Sequence, residues 1–254
     1  MVVAPVLLPA KAARNSINTM RVLVLQHIAC EPPGVYEDVL RERGVEIHRV
    51  ELDENEPLPH WRGFDAIIAM GGPMSVNDDE KLPWLRDEKA LISEAVRAGV
   101  PFFGACLGAQ LLAASLDGKV YRGDKPEVGL ALVSLTAAAA PDPVFAGAPN
   151  QFLAFHWHGD TFTLPTNAVL LASSSAYPHQ AFRWGRRAYG VQFHLEVSQD
   201  MARDWLDVPE YAQALNEVLG PGSGAALIDQ FGEYESRLRG QGRLLFERWL
   251  DLRA

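Results

Sequence analysis

A glycine-flanked cysteine, Gly104-Ala105-Cys106-Leu107-Gly108, constrains the fold more than any other stretch of this chain. Before it, Val100 to Phe103 is a short apolar run of strand type. After it, Ala109-Gln110-Leu111-Leu112-Ala113-Ala114 has helical composition. Strand, sharp turn and helix form the layout of a nucleophile elbow, with Cys where α/β hydrolases carry Ser. The glycines permit a strained turn and close approach of neighbouring chain. The helix that follows aims free N–H groups and the positive end of its dipole at the sulfur, which favours the thiolate. Taken alone, the pentapeptide describes equally well a small buried Cys in a glycine-rich turn.

Two further motifs narrow the choice. The run Val191-Gln192-Phe193-His194-Leu195-Glu196 ends a strand with a His and a Glu two residues apart, on one face. His194 is placed to take the thiol proton and Glu196 to orient its ring. The strand Phe64-Asp65-Ala66-Ile67-Ile68-Ala69-Met70 runs into Gly71-Gly72-Pro73-Met74, a glycine pair that exposes backbone donors. The N–H of Gly72, with that of Leu107 just after the cysteine, suits an oxyanion hole. Each of the two motifs on its own also describes an ordinary strand end.

Together these residues resemble the class I (triad) glutamine amidotransferases, in particular the amidotransferase part of GMP synthetase and stand-alone relatives. The strand and loop Phe64 to Pro73, the elbow Gly104 to Gln110 and the strand Gly190 to Val197 match that family's motifs, and His158-Gly159-Asp160 with Leu164-Pro165 recurs in similar order. The resemblance covers about residues 21–197. It implies a Cys106, His194, Glu196 triad, an oxyanion hole at Gly72 and Leu107, and substrate contacts from Gly71, Gln110 and His158, with Asp160 in the pocket wall. The sequence departs from the family at Leu195, where a Pro is usual. The expectation is that Leu195 loosens the strand end without removing a functional group.

Length and charge set the bounds. At 254 residues the chain is long enough for one large α/β domain. The net charge of −9 argues against nucleic-acid binding, which needs clustered Lys and Arg. No apolar run reaches the ~18–20 residues that span a membrane. With Cys106 assigned to catalysis, only Cys30 is left, so a structural disulfide is not expected and a reducing cytoplasm fits. Residues 1–19 read as a disordered extension, with Met20 a candidate start; residues 20–200 read as the amidotransferase domain and 201–254 as a helical segment packed on it.

Strands at Val22 to Gln26, Val45 to Val50 and Ala66 to Met70 alternate with helices at Gly34 to Arg43 and Trp84 to Ala98, which predicts a mostly parallel sheet. Ligands in such sheets bind at the carboxyl ends of the strands, where all three motifs fall. The resemblance makes this the flavodoxin-like fold of the family. Strands at Val128 to Leu135, Phe152 to His156, Val169 to Ser173, Gln180 to Trp184 and Ala188 to Phe193 suggest an antiparallel extension that delivers His194. Ala226 to Leu252 carries an apolar stripe suited to core packing or a homodimer contact, with Gly240 and Gly242 as expected breaks.

No cofactor is expected. His156 and His158 have the spacing of a ligand pair, but spacing marks no third ligand, so no metal is expected; Glu127 has no assigned role and Trp157 is a candidate wall of an ammonia exit or of an acceptor site. The sequence has neither a Walker-type loop nor the Ser-Gly-Gly-x-Asp-Ser loop of an ATP pyrophosphatase. The expected reaction is hydrolysis of the glutamine side-chain amide, with ammonia passed to an acceptor on a separate synthetase subunit. The alternatives are a stand-alone hydrolase of γ-glutamyl peptides or amines, and a non-catalytic binding or regulatory module on the same scaffold.

Overall fold

Val22 and Val24 face one hydrophobic core, and Leu23 and Leu25 face another. A strand apolar on both faces has to be covered by helices on both sides. The computed structural model, which describes residues 19–252, has that arrangement. In chain order it comprises β1 (Arg21–Gln26), α1 (Val35–Glu42), β2 (Glu46–Glu51), β3 (Ala66–Ala69), α2 (Trp84–Arg97), β4 (Phe102–Ala105), α3 (Leu107–Ser115), β5 (Val120–Leu135), β6 (Gln151–Phe162), β7 (Val169–Ser174), β8 (Ala181–Trp184), β9 (Ala188–Val191), α4 (Gln199–Asp204), α5 (Pro209–Leu219) and α6 (Gly224–Leu250). The extension read at residues 1–19 lies, apart from Thr19, outside the described residues.

The strands form one nine-stranded sheet in the order β2-β1-β3-β4-β9-β8-β7-β5-β6. From β2 to β9 the pairing is parallel, and from β9 to β6 it is antiparallel. Helices α1 and α6 cover one face, and α2 and α3 the other. This is the expected α/β fold with one correction of detail. Strand β9, read as part of the antiparallel extension, pairs parallel with β4 and is the joint between the two halves. Strands β5 and β6 are also longer than the sequence suggests. Their pairing continues past a register shift between Arg122 and Glu127, where polar residues hide the strand pattern. Among the described residues no helix is long and apolar enough to cross a membrane.

The C-terminal stripe is buried within the chain itself. Phe246 stacks on Tyr36 of α1 and meets Phe103 of β4 edge-on, and Trp249 packs on both Phe103 and Phe246. The expected break at Gly240 and Gly242 does not occur; α6 runs unbroken for 27 residues. Gly242 serves close approach instead. A Cβ there would lie 2.6 Å from the Leu195 carbonyl oxygen, whereas one on Gly240 would meet nothing within 4 Å. Gly240→Ala is therefore expected to stabilise by up to about 1 kcal/mol, through helix propensity. Gly242→Ala should destabilise by about 1–3 kcal/mol, through overpacking against the backbone at Leu195. Urea unfolding of the two variants checks this, and shifts of the same sign would refute it.

Candidate active site

Strands β3, β4 and β9 are neighbours and end in step: Ala69 pairs with Gly104, and Ala105 with Val191. The loops that follow them leave one edge of the sheet side by side. Motifs more than thirty positions apart in sequence, around Gly72, Cys106 and His194, are gathered by this strand order.

Cys106 occupies the turn between β4 and α3 with φ 50° and ψ −106°, a conformation costly for a residue with a side chain by about 1–3 kcal/mol. Hydrogen bonds hold it there. Its N–H donates to the Val191 carbonyl at 2.8 Å, and its carbonyl accepts from Ala109 and Gln110. The flanking glycines are required by space: a Cβ on Gly108 would lie 2.1 Å from the Ala69 carbonyl oxygen, and one on Gly104 would lie 2.4 Å from the Gly108 backbone. The sulfur accepts an N–H from Gln192 at 3.5 Å and lies 4.0 Å from the Trp157 carbonyl. Burial raises the Cys106 pKa; the charge of His194 opposes this only in part, and the net shift is upward.

His194 is fixed at both ends. Its backbone exchanges hydrogen bonds with Phe155 of β6, and its Nδ1 lies 2.7 Å from Glu196 Oε1. Burial by itself would lower the His194 pKa, but Glu196 and Cys106 outweigh it, and the ring is held protonated well above the usual range. The ring's Nε2 is buried and has no hydrogen-bond partner among the described residues. The second oxygen of Glu196 accepts the Leu195 N–H at 3.0 Å.

That last bond corrects the expectation for Leu195. The residue does not merely loosen the strand end; it adds a donor that Pro lacks and anchors the Glu196 carboxylate. Leu195→Pro should thus lower turnover by about 10–100-fold, the worth of a hydrogen bond to a charged group. Steady-state kinetics alongside circular dichroism checks this; unchanged turnover in a folded variant would count against it.

On the other side of Cys106, the Gly71 carbonyl accepts from His27 Nδ1 at 3.2 Å, while His27 Nε2 lies 2.9 Å from Glu88 Oε1. Both side chains are wholly buried. Burial lowers the His27 pKa, yet Glu88 reverses this and the net shift is upward, so Nδ1 is a donor. The peptide is trans, so a Gly71 carbonyl held towards His27 turns the Gly72 N–H the opposite way. Neither the Gly72 nor the Leu107 N–H has a protein acceptor among the described residues. Gly72 and Cys106 border one cavity of about 220 Å³, together with Gln110, Arg122, His158, Asp160 and Tyr211.

The remaining sequence-read residues divide. Gln110 lines the cavity, and its amide donates to Gln192 Oε1 at 3.1 Å and the Asp160 carbonyl at 3.3 Å. His158 also lines it, with Nδ1 on the Asp160 carbonyl and Nε2 near Glu127. Gly71 sits behind the cavity wall, against the Glu31 carboxylate. Trp157 borders the cavity as well, and its indole packs into the core: it donates to the Tyr211 carbonyl and packs on Phe155, Trp205 and Tyr211. The Cys30 thiol is pushed up to about 11, by burial and then by Glu31. Glu127, on β5, stands beside both His156 and His158, so the fold supplies the third group that spacing did not mark.

Four buried residues were not singled out from the sequence: His27, Glu88, Glu31 and Tyr211. The Tyr211 hydroxyl donates to Glu31, whose pKa burial raises. Glu88 did carry a signal. It lies three residues after Leu85 and three before Leu91, on the apolar face of α2, where an isolated carboxylate needs a buried partner.

Comparison with known proteins places these features in a wider group. The sequence model described as glutamine amidotransferase class-I matches residues 35–206. A glutamine amidotransferase-like protein of Salmonella typhimurium, YfeJ, is 33% identical over 183 residues, which are 70% of this chain and 77% of that one. One subunit of the glutamine-hydrolysing GMP synthase of Thermoplasma volcanium is 36% identical over 163 residues, 63% of this chain and 75% of that one. The crystal structure of a glutamine amidotransferase from Thermotoga maritima superposes with a TM-score of 0.82 at 32% identity, covering 92% of this chain and 99% of that one.

Proposed function

The chain belongs to the class I glutamine amidotransferases, and we propose that it hydrolyses a γ-glutamyl amide through a thioester on Cys106, with His194 and Glu196 completing the triad. The observation that carries this reading is His194, buried with Nδ1 anchored by Glu196 and with no partner but the Cys106 sulfur left for Nε2, beside a strained cysteine at the start of a helix. A nitrogen left so poorly partnered is costly to bury unless it serves a reaction. In the proposed cycle the Sγ–carbon bond forms as the thiolate attacks the amide carbon. The oxyanion is met by the Gly72 and Leu107 N–H groups. His194 then gives its proton to the nitrogen, the carbon–nitrogen bond breaks, and ammonia leaves from glutamine or the amine from a substituted γ-glutamyl amide. His194 next takes a proton from water, the hydroxide adds to the thioester, and the carboxylate product leaves as the thiolate is restored. Glu196 stays ionised and holds the imidazolium throughout.

Two fates of the substrate remain in play. In the first, glutamine is cleaved and ammonia passes to a separate acceptor protein; the likeness to one subunit of a GMP synthase supports it. In the second, the chain works alone on larger γ-glutamyl peptides or amines. One observation favours the second. Glu210, Tyr211 and Ala214 of α5, which lie beyond the residues matched by the family, wall the cavity beside Cys106. Arg122 and the carboxylates of Asp78, Asp160 and Glu210 give that cavity groups of both signs, suited to the α-carboxylate and α-ammonium of a glutamyl moiety. Turnover of free glutamine by the purified chain, measured beside a panel of γ-glutamyl dipeptides and amines, separates the two. Preference for the larger substrates supports a stand-alone hydrolase. Slow glutamine turnover that rises only with an acceptor protein supports the ammonia-supplying role. No turnover and no labelling of Cys106 by a glutamine-analogue electrophile would overturn both in favour of a binding module.

A further inference from the structure

At the wall of the same cavity, which His158 lines, two imidazoles and one carboxylate converge. His156 and His158 alternate with Trp157 along β6 and so share a face, and Glu127 on β5 pairs with His158 across the antiparallel ladder. Glu127 Oε2 lies 3.2 Å from His156 Nδ1 and 3.1 Å from His158 Nε2, and the three ligand-type atoms all lie within 4.8 Å of one another. We propose that Glu127, His156 and His158 form a binding site for one divalent transition-metal ion of the zinc class.

Three features of the cluster support this beyond proximity. The His158 ring is anchored through Nδ1 at the Asp160 carbonyl, 3.0 Å away, which aims its Nε2 at the Glu127 carboxylate. His156 is wholly buried, yet neither of its ring nitrogens makes a hydrogen bond among the described residues. Its approach to Glu127 is close but wrongly directed for an N–H bond, and an ion lying off that line suits it. The carboxylate is itself oriented by donors from outside, Ser174 to Oε1 at 2.8 Å and Gln180 to Oε2 at 2.6 Å. Ligating groups held in this way by outer partners are typical of metal sites. Ligands about 2.0–2.2 Å from a tetrahedral ion stand about 3.3–3.6 Å apart, slightly more than the two Glu127 spacings of 3.2 and 3.1 Å. The ion would tie β5 to β6 next to their register shift and stiffen the Gly159-Asp160 wall of the cavity. It would take no part in attack on the amide.

The test uses the full chain stripped by a chelator and then given one equivalent of zinc, with bound metal counted by emission spectroscopy after gel filtration. One ion per chain is expected, in the native protein and equally in Cys106→Ala. His156→Asn should weaken binding at least 10-fold and Ser174→Ala by about 10–100-fold. Failure to retain metal, retention unchanged by His156→Asn, or loss in Cys106→Ala would each overturn the proposal. Should His156→Asn not fold, cobalt in the native chain decides. Visible d–d bands without thiolate charge transfer support the site; their absence, or a thiolate band, refutes it.

Discussion

Cys106→Ala is expected to abolish amide hydrolysis, with turnover lower by about 10⁴-fold or more, while Cys30→Ala leaves it nearly intact. The contrast follows from environment. Cys106 has an imidazolium beside it, an N–H from Gln192 on the sulfur and the start of α3 directly after it. Burial and the Glu31 carboxylate oppose the thiolate at both sulfurs, but Cys30 has no imidazolium against them, and its thiol is pushed up to about 11. At neutral pH almost none of Cys30 is a nucleophile. The readout is single-turnover kinetics with mass spectrometry of the acid-quenched enzyme. A glutamyl adduct on Cys106 is the expected product. An adduct on Cys30, or equal loss of rate from both substitutions, would remove Cys106 from its proposed role.

The second large effect concerns the carboxylate. Glu196→Gln is expected to lower turnover by about 10²–10⁴-fold and His194→Ala further still. The direction of the pH effect can be worked out. Burial lowers the His194 pKa, and Glu196 is the larger of the two groups that raise it again. With a neutral amide in its place the ring loses its proton at lower pH. The alkaline limb of the kcat/KM profile, which reports loss of the proton needed by the departing ammonia, should move to lower pH. Gln is close in shape to Glu and can still accept the Leu195 N–H, so a fold defect is not expected to cloud the result. Full activity with an unmoved alkaline limb would make Glu196 a bystander.

Much of the site was legible because it is written in local code. A strained turn between a strand and a helix needs small neighbours, and Gly104 and Gly108 announce it around Cys106. His194 and Glu196 face one way because strand side chains alternate. Gly71 and Gly72 mark the end of an apolar strand. These rules operate over a few residues, and the family resemblance joined the pieces.

What the sequence could not yield depends on which strands become neighbours. Nothing local says that β9 lies parallel to β4, yet that pairing is what sets His194 next to Cys106. The buried pair His27 and Glu88 is separated by 61 positions, and Glu31 meets Tyr211 across 180. Each such group is intelligible only with its partner, because a buried charge is stable when its counterpart is delivered by another element. Gly242 reads as a helix breaker until the helix is seen pressing on Leu195. Leu195 itself reads as a missing proline until its N–H is found on Glu196. Glu127 is an unremarked strand residue until β5 is laid against β6, where it faces two histidines. The sequence by itself determined the chemistry available and the strand ends that carry it, because turn strain and side-chain alternation are local. Tertiary structure alone decided which of those groups stand within bonding distance, because strand order and helix approach are set by burying both faces of one sheet.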